Sequence, residues 1–257
     1  MKSELSQSCR EEKFVGLHQG TQSESAPPAN QHQPSSPAPL NTPLFRHIEE
    51  QLLCNGLAIC QPFDLQLPLT PLSELSHQLR THVLSLEEQN KLQPAGTGRE
   101  QAHQLNRQIR RDRIRWLTAQ DPVEKAWLDF MAQLQQHLNR TLLLGLFSYE
   151  CHFAHYQPGD FYQKHKDAFS GQSNRILSTV LYLNPDWQPD DGGELLIYSD
   201  EESDSVRSRL LPQLGTLVTF LSEEFPHEVL AANRHRYSIA GWFRLNSSVS
   251  NRVDPPR

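Results

Sequence analysis

No apolar run in this chain approaches the ~18–20 residues needed to cross a bilayer. The longest, Leu142-Leu143-Leu144-Gly145-Leu146-Phe147, is core-sized. Cysteine is sparse and unpatterned: Cys9, Cys54, Cys60 and Cys151 form neither a C-x-x-C pair nor a zinc spacing. So unpatterned a scatter suggests a reducing compartment. Positive charge is not in excess either. The formal net charge is -6 over 257 residues, so there is no global electrostatic case for a nucleic-acid partner. Met1-Lys2-Ser3-Glu4 lacks the basic-then-apolar pattern of a signal peptide. The expectation is a soluble cytoplasmic protein with no membrane partner and no direct nucleic-acid partner. Oligomeric state is left open.

The length suits one domain plus appendages. Residues 1–43 are poor in large apolar side chains and rich in Ser, Gln and Pro, a composition that cannot offset its ordering entropy. They read as a disordered leader, and 248–257 as a flexible tail. Between them lies one domain, 44–247. Phe45–Leu53 has helical spacing, Gly56–Cys60 reads as a short strand, and Pro71–Leu86 as a helix with Leu72, Leu75, Leu79 and Val83 along one stripe. Gln89–Gln108 is polar and Gln-rich, so a mobile loop is expected. Pro122–Leu138 carries Val123, Ala126, Trp127, Phe130, Met131, Leu134 and Leu138 on one helical face.

From about residue 148 to 247 the pattern changes. Short apolar stretches recur between turn signals such as Gln157-Pro158-Gly159-Asp160, Asn184-Pro185-Asp186 and Asp190-Asp191-Gly192-Gly193, the last read as a hairpin-type turn. The fold class expected is α+β: a double-sheeted jelly-roll core, or double-stranded β-helix, with N-terminal supporting helices.

Within the β region stand His165-Lys166-Asp167, then His227-Glu228 some sixty residues on, then Arg236 nine residues after His227. With 12 His in the chain and as many Asp, chance alone supplies roughly 0.6 His-x-Asp pairs, so the context has to carry the reading. Phe161–Asp167 alternates as a strand does. His165 and Asp167 therefore share a face while Lys166 points away. His227 follows the strand candidate Leu217–Leu221 and supplies a third ligand from elsewhere in the fold. Two histidines and one carboxylate on one side of a metal leave three positions open, the arrangement of non-haem Fe(II) oxygenases. An arginine adds a planar, permanently charged fork suited to a carboxylate. Taken alone, Arg236 reads as a surface strand arginine; its spacing to His227 sets it apart.

The stretch Cys151–Arg244 resembles the prolyl-4-hydroxylase class of 2-oxoglutarate- and Fe(II)-dependent dioxygenases, in the branch of the hypoxia-factor prolyl hydroxylases and their bacterial relatives. The matching strings are His155-Tyr156-Gln157-Pro158-Gly159, Tyr162–Asp167, Leu181–Trp187, Asp191–Leu195, Pro226–Val229 and Arg236–Phe243, with a weaker match at Arg111–Trp116 beside the family's mobile substrate loop. The resemblance implies His165, Asp167 and His227 as iron ligands and catalytic centre. It implies Arg236 and Tyr182 as holders of the distal 2-oxoglutarate carboxylate, and Tyr156 as an active-site tyrosine. Tyr162 and Trp242, within the same strings, are pocket candidates. So is His152, which shares the Tyr156 face of its strand, whereas His155 is expected to point out. One departure is visible: Gln157 stands between Tyr156 and Pro158, where the animal enzymes go directly from Tyr to Pro.

The implied activity is a peptidyl-proline 4-dioxygenase using Fe(II), 2-oxoglutarate and O₂, with L-ascorbate as reductant and a protein or peptide substrate containing the target proline. Two alternatives stand beside it: hydroxylation of a free amino acid or other small molecule, and a non-catalytic 2-oxoglutarate- or oxygen-sensing module. Arg234, His235 and Arg244 are read as structural. The arginines at 107, 110, 111, 113 and 115 are read as a solvated face.

Overall fold

Two antiparallel sheets, one of seven strands and one of four, organise this chain. The computed structural model describes residues 42–61, 70–96, 108–168, 174–202 and 204–246. The strands are β1 (Leu57–Cys60), β2 (Gln93–Pro94), β3 (Arg113–Trp116), β4 (Ser148–Tyr156), β5 (Tyr162–His165), β6 (Arg175–Tyr182), β7 (Leu195–Tyr198), β8 (Val206–Leu210), β9 (Leu217–Leu221), β10 (His227–Val229) and β11 (Arg236–Arg244). The helices are α1 (Thr42–Asn55), α2 (Thr70–Glu88) and α3 (Pro122–Leu142). This is the expected α+β jelly roll with supporting helices.

Each helix forms because its apolar residues recur on one face. In α1, Leu44, Phe45, Ile48 and Leu52 are buried. Gly56 ends it at φ +67, its N–H returning to the Leu52 carbonyl at 2.9 Å. A Cβ there would stand 3.0–3.1 Å from Glu224, Leu221 and Phe225, so both the turn and the close approach require glycine. In α3, Asp121 caps the N-terminus by accepting from the Val123 and Glu124 N–H groups at 2.8 and 3.3 Å, with Pro122 in the first turn. Trp127, Phe130, Met131, Leu134 and Leu138 then face inward. Each such burial contributes about 1.5–3 kcal/mol.

The longest pairing is β4 against β11, in register from Ser148↔Arg244 to Tyr156↔Arg236. Alternation along these strands divides the sheet into two faces. Tyr149, Cys151, Phe153 and His155 turn toward the helices: His82 of α2 lies 5.9 Å from the Phe153 ring, and Glu87 of α2 lies 3.4 Å from His155. Glu150, His152, Ala154 and Tyr156 occupy the opposite face, together with Ser238 and Arg236 of β11 and Ser178 and Tyr182 of β6. Gly241 is needed where Tyr149 crosses β11. A Cβ there would collide with the Tyr149 hydroxyl and stand 2.8 Å from Cys151 Cβ.

Four expectations change. His155 does not point out to solvent; it is fully buried beneath α2 because the outer face of β4 is covered by helix. The 190–193 turn is not a hairpin. Pro189–Asp191 form a 3-10 turn, and Gly192 bridges to Ala232 on the way from the large sheet to β7 in the small one. The arginine run is not a solvated face. Arg110 pairs with buried Asp112, Arg113 donates to the Leu92 carbonyl at 2.9 Å, and Arg115 pairs with buried Glu124. Arg107 lies outside the described residues. Within 89–108, residues 89–96 are ordered by β2 and by buried Leu92 and Ala95, while 97–107 lie outside the described residues. So do the 248–257 tail and the 1–43 leader, except Thr42 and Pro43, which open α1. No helix among the described residues is long and apolar enough to cross a membrane.

Candidate active site

His165 and His227 are direct register partners on adjacent strands, β5 and β10. Their rings lie 4.4 Å apart. Asp167, just beyond β5, places Oδ1 3.7 Å from His165 Nε2 and Oδ2 3.6 Å from His227 Nε2. Donor atoms of all three lie within 4.8 Å of one another. Both histidines are held the same way: Nδ1–H donates to the carbonyl two residues earlier, Gln163 at 2.7 Å and Phe225 at 3.0 Å. A carbonyl only accepts, so the proton sits on Nδ1 and the Nε2 lone pairs are free to converge beside Asp167. Burial, and then His227, push His165 down to about 3. Burial alone would raise the Asp167 carboxyl, but His227, His165, Arg175 and the Ser178 hydroxyl outweigh it and hold the carboxyl well below the usual range. A neutral His165 imidazole and an ionised Asp167 carboxylate are protonation states a metal ligand needs.

Supports surround this cluster. Ser178 Oγ donates to Asp167 Oδ2 at 2.6 Å and contacts Ser222 Oγ at 2.9 Å. The Tyr162 ring stacks on His165 at 3.6 Å, and the Arg110 guanidinium covers the other side of Tyr162 at 4.6 Å. Arg110 is fixed by a two-point pair with Asp112, at 2.6 and 2.7 Å. Phe220 packs edge-on against His227 at 4.9 Å.

On the facing sheet, Arg236 is 1% exposed. Its Nε–H donates to the Gly193 carbonyl at 2.8 Å, and its guanidinium lies 5.0 and 5.1 Å from the Tyr156 and Tyr182 rings. Gly193 has φ +69, and a Cβ there would stand 2.8 Å from Ala232 Cβ and 3.2 Å from Arg236 Cδ, so glycine lets the turn reach beneath the arginine. No carboxylate pairs with Arg236 among the described residues. Tyr182 is fully buried; its hydroxyl lies beside the guanidinium but makes no hydrogen bond of normal geometry among the described residues. Burial pushes this phenol up to about 12 against the opposing pull of Arg236, so it stays a neutral donor. A buried cation with no counter-charge and a buried hydroxyl with no partner are both costly. Together they fit the carboxylate of an acidic cosubstrate.

Further along the same face, buried His152 meets Trp116 edge-on at 5.2 Å and Trp242 at 5.5 Å. Burial, then Arg110, push His152 down to about 4, which makes it a neutral wall residue. Arg175 covers Trp242 at 3.7 Å, and the Trp242 indole N–H has no partner among the described residues. Glu150 pairs with both Arg175 (2.9 Å) and Arg244 (3.2 Å). The structure thus places the nine sequence candidates on its two sheets: Tyr162, His165 and His227 on the small one with Asp167 just beyond it, and His152, Tyr156, Tyr182, Arg236 and Trp242 on one face of the large one. It adds Ser178, Arg110, Asp112, Trp116, Arg175 and Gly193, which sequence reasoning missed. Signals existed for some of them: Ser178 stands four residues before Tyr182 on one strand, and Arg110, Asp112, Ile114 and Trp116 alternate at a strand's period.

The cleft and its donor set are those of the 2OG-Fe(II) oxygenase superfamily, whose family model matches residues 151–244, and the chain belongs to it. A Pseudomonas putida prolyl-4-hydroxylase crystal structure is 37% identical with a TM-score of 0.68, the match covering 79% of this chain and all of that one. A Trichoplax adhaerens prolyl hydroxylase, solved with a hypoxia-inducible factor oxygen degradation domain peptide fragment, is 26% identical with a TM-score of 0.68, covering 79% and 90%. Among curated proteins, the Caenorhabditis elegans hypoxia-inducible factor prolyl hydroxylase is 34% identical over 87 residues, and Xenopus laevis prolyl 3-hydroxylase OGFOD1 33% over 86. These matches take in 33% and 31% of this chain and span only 12% and 16% of those longer proteins.

Proposed function

We infer that this protein is a 2-oxoglutarate- and Fe(II)-dependent dioxygenase that hydroxylates a prolyl residue of a protein or peptide, releasing succinate and CO₂. The observation that carries the reading is the pairing of two incomplete sites: three metal-type donors within 4.8 Å of one another, and, on the facing sheet, a buried arginine that no acid pairs with among the described residues. His165, Asp167 and His227 would hold Fe(II), and Arg236 with Tyr182 would hold the far carboxylate of 2-oxoglutarate. Fe(II) supplies the activation of O₂ that oxidises the cosubstrate and leaves one oxygen on the substrate carbon.

The rest is the work of the chain. The Gln163 and Phe225 carbonyls keep both imidazoles in the ligating tautomer. Ser178 fixes the Asp167 carboxylate so that one oxygen stays free. His152, Trp242 and the exposed Trp116 meet ring to ring on the face of the large sheet that also carries Tyr156, an aromatic surface that suits the ring of a proline. A prolyl target is supported by the likeness to prolyl hydroxylases and by the peptide in the Trichoplax complex. L-Ascorbate as reductant and a cytoplasmic location belong to the same proposal; the latter is supported by free thiols at Cys60 and Cys151. The test is succinate release and a one-oxygen mass gain on proline-containing peptides, with free amino acids as the competing substrates. Turnover on free amino acids alone would replace the peptidyl reading with the small-molecule one.

A further inference from the structure

The sequence neighbours of the proposed iron ligands face away from the site, and they share one destination. Lys164-His165-Lys166-Asp167 alternates cation and ligand. A strand's period of two puts both ligands on one side and both lysines on the other. Glu228 follows His227 and is turned outward in the same way. On that outer side the β7–β8 hairpin meets all three. Lys164 Nζ donates to the Glu201 carbonyl at 3.1 Å and stands 4.2 Å over the centre of the Tyr198 ring. Lys166 Nζ pairs with the Glu201 carboxylate at 3.0 Å. The Tyr198 hydroxyl donates to Glu228 Oε1 at 2.5 Å. We propose that Tyr198 and Glu201 are positioning residues, through which the hairpin clamps β5 and β10 from behind and sets the spacing of His165, Asp167 and His227. The inference rests on the reading of those three residues as Fe(II) ligands.

The strand that carries His165 needs such a hold. β5 has four residues and lies at the edge of the small sheet, whose order is β5-β10-β7-β8. Its register with β10 consists of His165↔His227 and Tyr162↔Val229, with an irregularity between them. On its other edge, the Arg111 N–H donates to the Phe161 carbonyl at 3.1 Å and the Gln163 N–H to the Ile109 carbonyl at 2.9 Å, which secures only the start of the strand. Asp167 lies beyond its end. Ser178 holds that carboxylate from the large sheet. Lys166, between the two ligands, ties the same stretch to the hairpin.

The hairpin is itself anchored beside the third ligand. Tyr198 is buried, and its N–H donates to the Pro226 carbonyl at 2.8 Å. Tyr198 therefore holds β10 on both sides of His227, by backbone at 226 and by hydroxyl at 228. The Ser199 N–H closes the turn on the Ser205 carbonyl at 3.1 Å, which keeps Glu201 near the lysines. The Lys166 side chain is 20% exposed and that of Glu201 62%, so this pair contributes on the scale of an exposed ion pair rather than a buried one.

The charge of Lys166 gives the test its sign. A lysine beside a cation site repels the cation, so a lysine that did nothing else would weaken metal binding, and its replacement by an acid would tighten it. The clamp requires the opposite. Fe(II) dissociation constants are measured anaerobically on the full chain by equilibrium dialysis, without 2-oxoglutarate. Lys166→Glu sets two acids against one another, and Tyr198→Phe frees Glu228 without changing any charge; each should weaken Fe(II) binding roughly two- to fivefold. Lys166→Glu combined with Glu201→Lys restores the pair in reverse and should regain most of the loss, a coupling that general damage to the fold would not produce. The KM for 2-oxoglutarate at saturating Fe(II) should stay as in wild type, and the unfolding temperature of the metal-free protein checks the fold. Unchanged or tighter Fe(II) binding by Lys166→Glu overturns the clamp. So does a loss that the reversed pair fails to recover. A wild-type chain that binds no Fe(II) would sink the ligand reading first, and the clamp with it.

Discussion

Replacing Arg236 by lysine keeps a cation at the site and removes the fork. The structure shows why that matters. Arg236 already spends Nε on the Gly193 carbonyl at 2.8 Å, so only its two terminal nitrogens remain for a ligand. Lysine has one nitrogen and must choose between Gly193 and the cosubstrate. Losing a charge-assisted contact costs about 1.5–3 kcal/mol, which at about 1.4 kcal/mol per tenfold is roughly a 10- to 150-fold rise in the KM for 2-oxoglutarate. Stability without cosubstrate should move much less, because one buried cation replaces another and Gly193 keeps a donor. The assay is succinate formation against 2-oxoglutarate concentration at saturating Fe(II), paired with thermal unfolding of the cosubstrate-free protein. A KM within about twofold of wild type would refute the reasoning outright. Arg244 could not be invoked in its place, because Glu150 and Asn174 already engage it, at 3.2 and 3.1 Å.

Four more outcomes are expected. His165→Ala, Asp167→Ala and His227→Ala should each abolish Fe(II)-dependent succinate formation, and full turnover by His227→Ala would end the metal assignment. Ser178→Ala removes the 2.6 Å bond that aims Asp167 and should weaken Fe(II) binding by roughly 10- to 100-fold; the KM for 2-oxoglutarate at saturating iron should stay unchanged, and equal Fe(II) affinity would show Asp167 positioned without it. Gly241→Ala should cost about 1–3 kcal/mol or more in urea unfolding, since the new methyl collides with Tyr149; a neutral result would mean that Tyr149 swings clear. Removing 1–41 should spare turnover, whereas removing 97–107 should impair peptide hydroxylation more than Fe(II) affinity, the signature of a covering segment that supplies no ligand.

The fold was legible where a periodic pattern met strong punctuation. Gly56 after α1 and Asp121-Pro122 before α3 mark helix ends by local chemistry, and the buried faces of both helices follow the 3.6-residue spacing. The jelly roll was legible as a series of short strands between turns. What the pattern did not carry is which strand lies beside which. β11 pairs with β4 and β6, and β1 joins β9 across most of the chain, contacts that depend on sheet closure rather than on neighbouring residues. The misreading of 190–193 has this cause. Asp-Gly signals a tight turn, but the turn here crosses between sheets, and its glycines serve the approach to Ala231, Ala232 and Arg236.

The candidate site divides in the same way. His165 and Asp167 could be placed on one face from spacing alone, because a strand's period is two. That His227 stands opposite His165 is a register fact, visible only once β5 and β10 are paired. The arginine run shows the limit most clearly. By composition, five arginines within nine residues read as a solvated face, and charge counting offers nothing to correct that. Strand alternation does offer something: Arg110, Asp112, Ile114 and Trp116 share one face, and that face adjoins β4. Arg110 therefore reaches over Tyr162, which stacks on His165. A buried aspartate two residues away makes this tolerable, since an unpaired arginine there would be as costly as Arg236 without an anion. The two arginines differ in this one respect. Arg110 has its carboxylate built into the chain and serves the structure around a proposed ligand, while Arg236 has none among the described residues, and that difference supports its proposed role toward the cosubstrate.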